Sequence, residues 1–343
     1  MAAEIVWRLG GFSRRLAPTV LVRLGGALLL TLAVLLLCLC LGKVWLTPAQ
    51  VLAALVEGQG DGLGFIVRQL RLPRALLAAL VGGALAVSGL LLQGQVRNPL
   101  ASPDLLGITS GASAGAVFYL AVLADSLGAE GLPLAAMLGA GMAALLVYGL
   151  AWNQGASPLR LVLVGVGVSA MLAAATTFLL VFSPLTTTLS AYVWLTGSVH
   201  GANWPEVRAL GLWWLGLLLP LATLARHAVM QPLDDDLALG LGVRLQGLRA
   251  ALLVLAVAFA GVAIAWGGAI AFVGLIAPHI ARRLVPGGFA GQTCMAALMG
   301  AVLVMLADLL GRTLFLPLDL PAGIFVAALG APFFLYLLIR QRS

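Results

Sequence analysis

Apolar residues in this chain gather into runs of about twenty or more, separated by single arginines and short polar turns. The stretches free of Asp, Glu, Lys and Arg are 24–42, 75–96, 105–124, 131–159, 161–205, 209–225, 250–281, 284–307 and 320–339. A helix needs roughly 20 apolar residues to cross a hydrocarbon core, so each stretch predicts a membrane span. Two of them need division. The stretch 161–205 breaks at Ser183-Pro184 and continues as TTTLSAYVWLTGSVHGANWP, too polar to face lipid but suited to an outer-surface element anchored by Trp194 and Trp204. The stretch 250–281 would reach roughly 48 Å as one helix, well beyond a core of about 30 Å, so it predicts two short spans broken at Gly267-Gly268.

Ten spans result, and the arginines test that count. With ten spans and the N-terminus inside, Arg8, Arg14, Arg15, Arg23, Arg97, Arg160, Arg226, Arg244, Arg249, Arg282, Arg283, Arg340 and Arg342 fall on the inner side, a clear majority of the 19 basic residues. Nine spans would divide them almost evenly, so positive charge favours ten, with both termini cytoplasmic. Residues 24–42 follow four arginines as the apolar region of a secretory signal would. They are too long for one and lack a small-residue cleavage site before Lys43, so they read as a retained first span after a short cytoplasmic tail, residues 1–20.

Local signals mark the ends of the second span. Arg71 and Arg74 bracket Pro73, a first-turn residue, and Asn98-Pro99 stops the helix. Ser102-Pro103-Asp104 then reads as a cap, a first-turn proline and a first-turn acid for the third span. In that span Gly107, Gly111 and Gly115 repeat at the spacing that lets helices approach closely.

Composition agrees with this picture: the chain is 62% hydrophobic and 9% charged, with mean hydropathy +1.11. Lipid must be its solvent. The net charge of +7 lies between apolar runs as topology signals, which argues against nucleic-acid binding. Cys38, Cys40 and Cys294 form no disulfide or metal framework. The single lysine, Lys43, precedes Val44, so the chain has no Gly-Lys-Ser/Thr phosphate loop and cannot hydrolyse ATP alone. His200, His227 and His279 stand too far apart to predict a metal cage. Gly165-Val-Gly167 and Gly240-Leu-Gly242 are packing and turn glycines, without the strand context of a dinucleotide site.

Asp308 is the one acid well inside a predicted span, and such a carboxylate is a functional candidate by default. Arg312 lies at i+4 on the same face, so an intramembrane ion pair between the two is expected. One acid without a relay argues against a proton-coupled secondary transporter, and no nucleophile and base stand together to suggest an intramembrane enzyme.

Three basic residues, Arg68, Arg71 and Arg74, oppose the topology bias by clustering on the outer side. They could anchor a helix end to headgroups or receive carboxylates from a partner, since guanidinium makes bidentate, directional pairs. On the inner side QPLDDDLALGLGVRLQGLR, residues 231–249, is too short and charged to cross. Pro232 with Asp234, Asp235 and Asp236 starts a short helix that ends at Leu239, Gly240 and Gly242 stop it, and Val243 begins a second.

The succession RLPR from Arg71, GALAVSG from Gly83, Gln93, RNPLASPDLLGITSGAS from Arg97, GLIAPHIARR from Gly274 and LPAGIFVAALGAPFF from Leu320 resembles the FecCD-type permease subunit of type II ABC importers, which take up iron-siderophore complexes, haem and cobalamin. The likeness runs from about Thr47 to the C-terminus. It implies an all-α membrane domain of about ten helices spanning 1–343, paired with a second identical or homologous permease, two cytoplasmic ATPases and an outer substrate-binding protein. ATP and magnesium would belong to the ATPases, and this chain would bind no cofactor or metal of its own. Arg71, Arg74 and Arg312 match family arginines that contact glutamates of the binding protein. The loop 227–249, with Asp234, Asp235, Leu239, Gly240, Gly242 and Val243, matches the ATPase-coupling loop. Thr186, Ser190 and Trp194 are candidates for the outer gate. WLTGSVHGANW is more similar to the iron-siderophore branch than to the cobalamin branch, so a ferric siderophore is the expected cargo, with haem or cobalamin as the alternative.

Overall fold

The computed structural model describes residues 5–9, 12–16, 18–56, 62–128, 130–153, 155, 157–228 and 245–340. Two short antiparallel strands, β1 (Ile5–Leu9) and β2 (Phe12–Leu16), lie within the predicted N-terminal tail. Twelve helices follow among the described residues. They are α1 (Pro18–Cys40), α2 (Pro48–Val56), α3 (Gly62–Val96), α4 (Ile108–Leu127), α5 (Leu132–Ala151), α6 (Pro158–Val181), α7 (Leu185–Thr196), α8 (Trp204–Ala228), α9 (Leu245–Gly267), α10 (Val273–Leu284), α11 (Phe289–Thr313) and α12 (Ala322–Arg340). All except α2, α7 and α10 are long and apolar enough to cross a membrane.

The central helix is α3, buried along nearly its whole length and packed against α8, α9, α10 and α11. It opens with a π-helical turn at Ile66–Arg71, where the Leu72 N–H reaches back to the Val67 carbonyl. Pro73 follows with no N–H to donate, so the widened turn sits where the ladder already lacks a rung. The contacts of α3 rest on glycine. A Cβ at Gly82 would lie 2.1 Å from the Gly300 carbonyl oxygen of α11, and one at Gly89 would lie 1.9 Å from that of Gly274 in α10. Helix backbones meet directly there, the packing that replaces hydrophobic collapse in lipid. Gly111 and Gly139 bring α4 against α5 in the same way.

The predicted break at Gly267-Gly268 is present, with Gly268 at φ +68°, but it lies inside the bundle. Gly267 packs on Val81 in the middle of α3. Only the second of the two predicted short spans is short: α9 has 23 residues and α10 has 12. At 1.5 Å per residue α10 covers about 18 Å, too short to cross by itself, and the non-helical stretch 268–272 leads into it. Irregular backbone at such depth survives only where protein buries it or water lines it.

A second correction concerns the start of the third span. Ser102-Pro103-Asp104 begins no helix; residues 101–107 form a tucked turn, and α4 starts at Ile108 after Gly107 at φ +74°. The Asp104 side chain turns inward, accepting from Thr109 Oγ1 at 2.7 Å and from the Phe272 backbone N–H. Gly107 therefore serves as a helix cap, while Gly111 and Gly115 make the expected close contacts.

Candidate functional site

Four arginines stand at the Arg71 end of the bundle, and each is engaged within the chain. Arg68 Nε and Nη2 donate to the Ala54 and Leu55 carbonyls, both at 2.7 Å, closing the C-terminus of α2. Arg71 is 8% exposed and donates to Leu39 O at 2.6 Å, Cys40 O at 3.0 Å and Val44 O at 2.5 Å. Arg312 adds bonds to Cys38 O at 2.6 Å and Leu41 O at 2.8 Å. Two guanidinium groups thus satisfy the orphan carbonyls at the C-terminus of α1 and oppose its negative dipole end.

Arg74 is held by carboxylates. Its Nε and Nη2 lie 2.9 and 2.8 Å from Asp308 Oδ1, and its Nη1 and Nη2 lie 2.7 and 2.8 Å from the two oxygens of Asp319. His200 Nδ1 stands 2.8 Å from Asp319 Oδ2. The Arg74 bonds hold the Asp319 carboxyl below the usual range, against the opposing effect of burial. The expected pair of Asp308 and Arg312 exists but is loose, with Nε to Oδ2 at 3.5 Å. The principal partner of Asp308 is Arg74, brought from α3 to α11 by the glycine contact that continues one helix face below it. Two arginines and two aspartates cancel, so the cluster carries a carboxylate into the bundle at no net charge.

This cluster gathers Arg74, Asp308 and Arg312 and leaves Arg71 to its helix end. Asp319 and His200 join it without any local spacing signal, since they come from connectors far apart in the chain. The gate candidates all fall on α7. Thr186 and Ser190 are exposed one turn apart, with Ser190 Oγ donating to Thr186 O at 3.1 Å. The Trp194 carbonyl accepts from Gly197 N at 3.1 Å and lies against Gly268 at the α9–α10 break. The coupling-loop residues Asp234, Asp235, Leu239, Gly240, Gly242 and Val243 lie outside the described residues.

Phe272, the last residue of the break, has φ +65°, a rare conformation for a bulky side chain. Two contacts hold it: Asp104 accepts its N–H, and its ring fills the notch left by Gly330 of α12, where a Cβ would come within 2.4 Å. At the opposite, Arg97 end, Arg282 Nη2 donates to Gln93 Oε1. A cavity of about 490 Å³ opens beside them, lined in part by Arg97, Asn98, Gly288 and Gln292.

Nine helices among the described residues long and apolar enough to cross a membrane, a shorter tenth behind an unwound lead, and a neutralised charge cluster at one end belong to a multi-pass membrane permease of the type II ABC importer fold. A solved structure described as a metal-chelate type ABC transporter, in an inward-facing conformation, superposes with a TM-score of 0.82 at 30% identity, covering 92% of this chain and 98% of that one. The achromobactin transport system permease protein CbrC of Dickeya dadantii (strain 3937) is 69% identical over 338 residues, 98% of this chain and 97% of that protein. The ferric enterobactin transport system permease protein FepG of Escherichia coli (strain K12) is 39% identical over 300 residues, 88% of this chain and 90% of that protein. Residues 29–340 match the FecCD transport family, and the chain belongs to it.

Proposed function

We propose that this chain is the permease subunit of an ATP-driven importer that carries a ferric siderophore across the cytoplasmic membrane. The observation that carries this reading is the 69% identity to an achromobactin permease along 98% of the chain.

In this reading two permeases, identical or homologous, enclose the pathway between them. Two ATPases with ATP and magnesium supply the energy, gripping the loop 227–249 on the cytoplasmic side, where both termini lie. A substrate-binding protein docks at the Arg71 end, which faces outward. Arg71 and Arg312 support that surface by fixing the end of α1, while Arg74 lies nearest to an arriving carboxylate. Specificity then rests mainly with the binding protein, because the permease must release what it receives.

Reconstitution tests the proposal. Proteoliposomes containing the permease and its ATPase, given binding protein loaded with radioiron-labelled siderophore, should accumulate label only with internal ATP. Accumulation without any ATPase, or uptake of haem or cobalamin in place of ferric siderophore, would overturn it.

A further inference from the structure

Three non-helical segments meet between the Arg71 end and the middle of α3: the α7–α8 connector, the α9–α10 break and the α11–α12 connector. Their closest approaches are set by glycine backbone, with the buried Ile270 side chain seated against Gly197. Gly323 N donates to Gly197 O at 3.0 Å, a Cβ at Gly323 would fall 1.9 Å from Thr196 O, and one at Gly268 would fall 2.4 Å from Trp194 O.

One polar clasp crosses this seam. Asp319 belongs to the α11–α12 connector and His200 to the α7–α8 connector, and Arg74 on the central helix touches both, with His200 Nδ1 3.3 Å from its Nη1. With Nδ1 protonated, His200 donates to the Asp319 carboxylate at 2.8 Å, and its 3.3 Å approach to Arg74 Nη1 is then that of two donors sharing Asp319 Oδ2 as acceptor. The clasp is graded in depth. The Asp308 side chain is 4% exposed, that of Asp319 29% and that of His200 65%. The inner half is therefore fixed, while contacts in the outer half are solvated and individually weak.

We infer that Arg74, Asp319 and His200 form a latch holding the α7–α8 connector against the α11–α12 connector, and that its release precedes opening of this end of the permease. The inference rests on the reading above that this end faces outward. Asp319 is the releasing member: freed from it, Arg74 keeps Asp308 and the inner cluster stays intact. Two arrangements of a packed seam, biased by one exchangeable ion pair, make the kind of two-state element that conformational switching requires.

Hydrogen exchange by mass spectrometry tests the latch on the full chain in nanodiscs, with no cargo needed. In Asp319→Asn and in His200→Ala, amides of 197–203 and of 319–324 should exchange about tenfold faster together, while those of 80–90 in α3 stay protected. Unchanged exchange, or acceleration in one connector alone, would overturn the latch. So would acceleration that spreads into 80–90, which would mark the contact as general structure. Failure of the wild-type protein to import siderophore would count against the proposed function and leave the exchange comparison standing.

Discussion

Gly89→Ala is a small change with a large expected effect. The added methyl would stand 1.9 Å from the Gly274 carbonyl oxygen, whereas a carbon needs roughly 3.3 Å from such an oxygen. Helices α3 and α10 would have to separate by about 1.4 Å, and the obstacle is backbone, which has no rotamer to change. Overpacking of this kind costs about 1–3 kcal/mol, and a rigid carbonyl places it near the top of that range. Alanine in place of glycine within a helix returns about 1 kcal/mol. The net expectation is a loss of about 2 kcal/mol. Separation would also stretch the bond from Gln93 Nε2 to Gly274 O, 3.3 Å at present. Thermal unfolding of the full chain in one detergent, followed by the monodisperse fraction, reads the difference. Gly141→Ala is the control, because nothing lies within 4 Å of the position its methyl would take on α5; it should melt at or slightly above the wild type. A Gly89→Ala protein as stable as the control would refute the direct backbone contact between α3 and α10.

Three further outcomes follow from the charge cluster and its neighbours. Arg71→Ala removes the side-chain donor of the Leu39 and Val44 carbonyls and one of two donors to Cys40 O, and should cost about 2–3 kcal/mol by thermal unfolding, with Arg71→Lys retaining part of it; equal stability of wild type and Arg71→Ala would remove the capping role. Asp308→Asn leaves Arg74 short of a buried carboxylate and should lower stability by about 3–5 kcal/mol, with uptake falling only in proportion to folded protein. Loss of uptake at full assembly and full ATPase activity would instead point to proton coupling through Asp308. The carboxyl of Asp319 is depressed by Arg74, so its stabilising contribution is complete above the ordinary aspartate pKa of about 3.9 and is lost as pH falls through the lower folded value. The stability gap between wild type and Asp319→Asn should accordingly close in acid; a gap that widens there would contradict the pairing.

Much of the architecture was legible in the apolar runs, because lipid imposes the length of each helix irrespective of its neighbours. The break at Gly267-Gly268 could be located from length alone. Its depth could not, since that depends on Val81 and Gly89 of another helix. Ser102-Pro103-Asp104 has every local mark of a helix start, yet Asp104 turns inward to Thr109 and Phe272, and tertiary bonds outweigh the cap. The rim arginines were visible as an exception to the charge bias, whereas their partners are mostly main-chain carbonyls, which no side-chain pattern announces. Asp308 was found by its depth. Its principal partner, Arg74, is 234 residues away, beyond anything i+4 spacing can suggest.

Helix α1 is fastened by polar bonds near its two ends. Arg23 donates to Leu284 O at 2.7 Å at one, and Arg71 and Arg312 grip the other, while Leu28, Leu29, Leu30 and Leu32 between them are exposed. It behaves as a stave riveted top and bottom whose outer leucines are left uncovered by the rest of the chain. A fluorophore carried at Leu29 would report on the surrounding lipid while leaving the riveted ends and the machinery behind them untouched.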